Sequence, residues 1–322
     1  MRAVIATRPG GPEVLELVDL PAPEPGAREI LVEVAVCGVN YRDIYERSGT
    51  GGETRYPLVL GIEGAGTVRE LGPGVAGVSV GDRVAWMHVP GSYAERVAMP
   101  AELAVPLPDA VSLETAAAVL LQGVTAHYLC STTYRVERGD WLLVHAGAGG
   151  TGLLLTQMIK LRGGRVIATT SMEEKAALAR AAGADHVLVG YHGFSERVLE
   201  LTGGGGVAAV YDGVGRTTVE ASLSCLRTRG TLVCFGEASG PVPPIDTAEL
   251  ARASLYVTRP RSRDHVRTRA ELLERAAEVL AWILEGRLEV HVGGRYQLPE
   301  AARAHADLAS RTTTGKLLII LG

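Results

Sequence analysis

Cysteine is scarce in this chain. Among its 322 residues only Cys37, Cys130, Cys225 and Cys234 occur, far apart and with no CxxC pair. That spacing excludes a disulfide frame or a local thiolate zinc site and suits reduced thiols. The eight histidines contain no HxH or HExxH pattern, so no metal site is written locally in them. No apolar run approaches membrane-spanning length. The amino terminus, MRAVIATRPGGPE, meets Arg8–Pro9–Gly10 before a signal-peptide core can develop, and a cytoplasmic protein without membrane partners is expected. A formal net charge of −4 gives no general attraction to nucleic acid or to anionic lipid. The 40 glycines follow no strict period, which excludes collagen.

What remains is a globular composition, 47% hydrophobic and 21% charged, long enough for two domains. Residues 1–110 alternate short β-like runs (RAVIAT, VLELVDLP, EILVEVAV, RVAWM, AERVAM) with glycine and proline turns, the pattern of a small barrel. NYRDIYER, from Asn40 to Arg47, is a short helix candidate ending at Ser48–Gly49. From Gly139 apolar strands alternate with amphipathic helices, which predicts a parallel, doubly wound sheet. A helix over 270–285, a strand near Val290–Tyr296, a helix over 299–309 and the strand LLIIL close the chain. The α/β unit therefore reads as an insertion: 123–261 inside a domain made of 1–122 and 262–322.

Gly147, Gly149 and Gly152 spell GxGxxG, with Gly150 and Thr151 inside it, between an apolar strand and an apolar helix. In that context the motif is a dinucleotide fingerprint, because glycine lets a pyrophosphate approach the backbone where a helix presents free N–H groups. A tight strand–helix turn without a ligand is the plainer alternative. An NAD site carries an acid at the end of the second strand. Here that strand ends in Thr169, Thr170 and Ser171, and Lys175 follows one turn into the next helix. A hydroxyl and a cation suit a 2′-phosphate, so NADPH is the expected cofactor. A serine cap and a solvated lysine are the alternatives.

Gly139–Lys160, GDWLLVHAGAGGTGLLLTQMIK, carries Gly139, Asp140, Leu143, Gly147, Ala148, Gly149, Gly150, Gly152, Gln157 and Lys160 at the positions of a longer signature. It resembles that of the quinone oxidoreductase/ζ-crystallin family, and the likeness continues through GVNYRD, GIEGAG, LQGVTAHYL, FGEASG, SLYVTRP and SRTTTGK. The resemblance implies a medium-chain dehydrogenase/reductase: an α/β protein with a GroES-like β-barrel catalytic domain plus a doubly wound Rossmann cofactor domain. It implies cofactor contacts at Gly150, Thr151, Ser171, Lys175, Val214, Phe235, Gly236, Glu237–Gly240 with Ser239, Arg261, Arg263 and Arg311. It places Asn40, Tyr41, Asp43, Tyr45 and Tyr128 beside the nicotinamide and substrate, with Tyr41 or Tyr45 a hydrogen-bond donor to the acceptor oxygen. Surface arginines and tyrosines packed on a helix face are the ordinary alternatives. Tyr191 is implied too, although GADHVLVGY is one residue longer there than the family pattern.

Zinc alcohol dehydrogenases of the same superfamily carry metal ligands where this chain has Asn40, Ile62 and Gln122. None of the three is a ligand that zinc favours, so no metal is expected. Without that Lewis acid, the accessible acceptors are already electron-poor: a quinone or, alternatively, an α,β-unsaturated carbonyl. A crystallin-like or RNA-binding role without turnover is the third reading. The basic run RPRSRDHVRTR lacks interleaved aromatics, which argues against nucleic acid as a partner. A homodimer joined at a sheet edge near TLVCFG is implied by the family. His145 reads as a packing or hydrogen-bonding residue, and TGGGGV (202–207) as a connection.

Overall fold

Short apolar runs between glycine and proline turns form the strands of the amino-terminal part. They are β1 (Arg2–Ala6), β2 (Leu15–Asp19) and β3 (Glu29–Val39), then α1 (Tyr41–Ser48) and β4 (Leu58–Val59). β5 (Glu63–Leu71), β6 (Arg83–Met87), β7 (Arg96–Pro100), β8 (Val105–Pro106) and α2 (Leu113–Tyr128) follow. The computed structural model describes residues 1–52 and 54–321. Strands and helices then alternate: β9 (Trp141–Val144), α3 (Gly150–Leu161), β10 (Arg165–Thr170), α4 (Ala176–Ala181), β11 (His186–Val189) and α5 (Phe194–Leu201). The alternation continues with β12 (Val207–Asp212), α6 (Val219–Ser224), β13 (Leu226–Cys234), α7 (Thr247–Ala251) and β14 (Tyr256–Thr258). The chain closes with α8 (Arg269–Leu284), β15 (Val292–Gln297), α9 (Ala301–Ala309) and β16 (Lys316–Ile320).

Two compact units divide the chain, Met1–Gln122 with Val266 onward, and Gly123–His265. The return crossing falls after residue 265 rather than 261. Among the described residues the first unit holds a seven-stranded sheet, β15-β16-β3-β5-β6-β8 with β7 also on β3, and a small sheet β2-β1-β4. Only β15 and β16 pair in parallel; the long β3 pairs antiparallel with β5, β7 and β16. Trp86, Tyr93, Ile30, Leu60 and Met99 fill the core between them. Helix α1 starts at Asn40 and stops at Gly49, whose φ of +79° supplies the left-handed turn that ends many helices.

The second unit is one parallel sheet in the order β11-β10-β9-β12-β13-β14. This is the doubly wound arrangement, with its switch point beside β9, the first strand. WLLV, RVIATT and VAAVYD carry apolar side chains to both faces because helices cover both. Two expectations need correction. TLVCFG lies on β13, which is not an edge: β14 pairs along its outer side, so the free edge is β14. Lys175 is not inside a regular helix. It ends a 3₁₀ turn, Glu173–Lys175, and α4 begins after it.

Candidate active site

Every carboxyl end of a parallel sheet lies along one edge, and a ligand binds there at the switch point. β9 delivers the glycine turn to that edge. The Gly147 N–H donates to the Thr169 carbonyl at 2.8 Å, and the Gly149 N–H to the Ala146 carbonyl at 2.9 Å, which folds the turn back onto β10. A Cβ on Gly147 would lie 2.7 Å from that of Ala168, and one on Gly152 would collide with the Ala146 carbonyl. These two glycines therefore let α3 seat close against the sheet. Gly149 caps α3 without a side-chain bond, so the first-turn amides of Gly150, Thr151 and Gly152 meet no capping side chain. Such a helix start attracts an anion.

Buried polar groups hold the turn in shape. The His145 side chain is fully buried and bonds Thr169 Oγ1 through Nδ1 at 2.8 Å and Ser222 Oγ through Nε2 at 2.9 Å. Ser222 donates its own hydroxyl to the Thr218 carbonyl, so it accepts from His145. That sets the tautomer, with the proton on Nε2, and burial lowers the ring's pKa and keeps it neutral. Asp212 ends β12; its Oδ1 accepts the Val214 and Gly215 N–H groups at 2.7 and 2.9 Å, and its Oδ2 the Thr218 hydroxyl.

The loop after β13 packs on the loop after β12. Phe235 covers Gly213, and a Cβ on Gly236 would lie 2.8 Å from the Gly213 carbonyl. Ser239 donates to the Val214 carbonyl and accepts from Thr217, so its hydroxyl joins the two loops. Ser171 is exposed just past β10, and Lys175 is buried. Arg261 and Arg263 are exposed beyond β14. Gly190, just before Tyr191, has a φ of +85°, and the Tyr191 ring lies 5.9 Å from that of His145. Tyr128 is buried, its face stacked on His265 with centroids 4.1 Å apart.

The first unit by itself holds a buried polar cluster at the start of α1. Asn40 donates Nδ2–H to Glu63 Oε2 at 3.0 Å and to the Gly38 carbonyl, and its Oδ1 accepts from Lys316 Nζ at 2.8 Å. Lys316 also pairs with Glu63 Oε2 at 2.6 Å, and Glu63 Oε1 accepts the Leu121 N–H. Asp43 is wholly buried. Its Oδ2 accepts the Asn40 N–H at 2.8 Å and the Tyr93 hydroxyl at 3.0 Å. Burial pushes its carboxyl up to about 7. Tyr93 also meets His305 Nε2, and His305 Nδ1 faces Arg47 Nη1, both at 3.2 Å. Arginine only donates, so the chain runs from Arg47 to His305 to Tyr93 to Asp43. Burial, with Arg47 adding to it, pushes His305 down to about 3. Tyr41 donates to the Leu308 carbonyl at 3.1 Å, and its ring lies 6.2 Å from that of Tyr45. Arg311 stands just past α9, exposed, with φ +59°.

Two family models match: the alcohol dehydrogenase GroES-like domain over 26–109 and the zinc-binding dehydrogenase model over 150–278. A quinone oxidoreductase of Pseudomonas aeruginosa is 44% identical over 97% of both chains. The chain belongs to the quinone oxidoreductase family. A mycobacterial structure complexed with NADPH is 50% identical, with TM-score 0.97 over 99% of this chain and 100% of that one. The Escherichia coli quinone oxidoreductase complexed with NADPH is 40% identical, with the same score and coverage. A 2-haloacrylate reductase of a Burkholderia is 36% identical over 99% of this chain and 98% of its own.

The glycine turn carries the family signature; the polar cluster is read from the structure. Sequence pattern does not single out Glu63, Tyr93, Lys316, His305 or Arg47. Glu63 and Lys316 sit within quoted motifs, GIEGAG and SRTTTGK, so the signal available is a charge flanked by strand residues. Among the described residues no group of three or more His, Cys, Asp or Glu is arranged to hold a metal ion. Cys37 donates its thiol to the Ser92 carbonyl, and Gln122 Oε1 is buried without a partner.

Proposed function

We infer that the protein is an NADPH-dependent reductase of quinones that works without zinc. The observation that carries this is its full-length likeness to quinone oxidoreductases, some of them complexed with NADPH. The glycine turn fits the cofactor: an uncapped α3 start, and glycines where a Cβ would collide with backbone. Gly147, Gly149, Gly150, Thr151 and Gly152 are assigned to the pyrophosphate, and Ser171 and Lys175 to the 2′-phosphate. Val214, Phe235, Gly236 and Ser239 shape the neighbouring wall, while Tyr191, Arg261, Arg263 and Arg311 are assigned outlying contacts. Bound NADPH supplies a hydride, which with one proton from solvent turns a quinone into a hydroquinone.

The chain's own task is to orient and to stabilise charge. Of the two α1 tyrosines that the family resemblance places beside the substrate, Tyr45 is assigned the hydrogen bond to the acceptor oxygen; Tyr41 donates to the Leu308 carbonyl. Asn40 and Asp43 act through α1, because the Asn40 amide and Asp43 Oδ2 are bonded within the fold, and Tyr128 is a packing wall. Zinc has no donor set at Asn40, Ile62 and Gln122. A second reading, reduction of an activated double bond, is supported by the 2-haloacrylate reductase relative. No described helix is long and apolar enough to cross a membrane, in keeping with a cytoplasmic enzyme. The free edge of β14, with Tyr256 exposed, suits a homodimer. Steady-state rates with NADPH and NADH against benzoquinone, naphthoquinone and an enone test the reading. Absent turnover of every acceptor refutes it.

A further inference from the structure

Lys316 and Glu63 form the most enclosed ion pair of the described structure, their side chains 1% and 0% exposed. The space for them is made by a missing side chain: a Cβ on Gly38 would collide with the Glu63 carboxylate and lie 2.7 Å from Lys316 Nζ. A buried ion pair adds little net stability, because desolvation offsets the attraction. What this one does is specify geometry. The cation faces Asn40 Oδ1 and the carboxylate faces Asn40 Nδ2, so the amide has a single orientation. Asn40 in turn starts α1 and donates its N–H to Asp43. Residues 276 positions apart are thereby tied at one point.

We propose that Lys316 is a positioning residue for the reductase reaction: clamped by Glu63, its ammonium fixes the Asn40 amide and hence where α1 presents Tyr45. The proposal rests on the quinone-reductase reading. It gives Lys316 no contact with substrate; its effect travels through Asn40 and α1. No bond is made or broken at either ion.

The test uses two variants of the full chain. Lys316→Met alone leaves a buried carboxylate without its cation and threatens folding. Lys316→Met with Glu63→Gln removes both charges and keeps an acceptor for the Leu121 N–H. For each, NADPH binding is read by fluorescence, and kcat and KM are measured with benzoquinone. The expected result for the double variant is NADPH binding within about twofold of the parent and kcat lower by about tenfold. The decisive readout is a cycle with Tyr45→Phe. That change lowers the parent's rate but alters the double variant's rate by less than about twofold, because a misplaced tyrosine has little left to lose. Parental kcat and KM in the double variant, or an undiminished effect of Tyr45→Phe, overturns the proposal while leaving the reductase reading intact. A parent that binds NADPH but reduces no quinone overturns both.

Discussion

Replacing Asp43 by asparagine changes the pH dependence of stability in a direction the structure fixes. The carboxyl is wholly buried, and burial raises it from its ordinary 3.8 to about 7; Glu46 adds to the rise, while the Asn40 N–H, the Tyr93 hydroxyl and Lys316 oppose it. The folded protein then holds a proton between pH 4 and 7 that the unfolded chain has released. Stability therefore falls as pH rises through that window and is level above it. The full effect is about 4 kcal/mol, of which about 3 lies above pH 5. In the Asp43→Asn variant the side-chain carbonyl would still accept from Asn40 and Tyr93, and the amide NH₂ would stand where Asp43 Oδ1 has no partner. The amide mimics the protonated acid at every pH. Against the parent, the variant gains about 3 kcal/mol between pH 5 and 8, roughly 8 °C in Tm for a unit of this size. Thermal melts of both proteins across that range measure it. A difference between them that stays constant with pH would refute a neutral buried Asp43.

Other outcomes follow from the same geometry. Lys175→Glu replaces a cation with a repelling charge and lowers kcat/KM for NADPH by roughly ten- to a hundredfold, from the 1.5–3 kcal/mol of a charged hydrogen bond; NADH kinetics change far less, and equal losses would remove the assignment. Gly152→Ala drives a methyl into the Ala146 carbonyl and weakens NADPH binding by about tenfold or more, measured by calorimetry, with circular dichroism unchanged. Tyr256→Lys puts a charge on the free edge of β14 and tests the proposed homodimer: the parent sediments as a dimer and the variant as a monomer; equal masses for the two would refute association through that edge.

Much of this architecture is legible in local pattern. The apolar strand, the glycines and the apolar helix of 139–160 lie side by side in sequence, and they meet side by side in the fold. Boundaries blur even where helix propensity is high, as at Glu173–Lys175, where the chain makes a tight 3₁₀ turn before α4. The resemblance implies a sheet edge near TLVCFG; the three-residue β14 covers that strand. The polar cluster is hidden for another reason. Lys316 and Glu63 are 253 residues apart, and His305 and Tyr93 are 212 apart. No periodicity links such partners, and a lone Lys before LLIIL looks like a solvated strand end. The family resemblance sets Asn40 and Asp43 beside the reacting groups; the hydrogen bonds of Asn40 to Glu63 and Lys316, and of Asp43 to Tyr93, join residues that no local pattern links.

The most direct measurement is a single-turnover mixing experiment on chelator-treated enzyme, with NADPH bound and benzoquinone added, following the absorbance of the reduced nicotinamide. One hydroquinone formed per NADPH consumed, at a rate unaltered by added zinc and much reduced with NADH, is the predicted result. A rate that vanishes on chelation and returns with zinc, or bound NADPH that no quinone oxidises, would contradict the account.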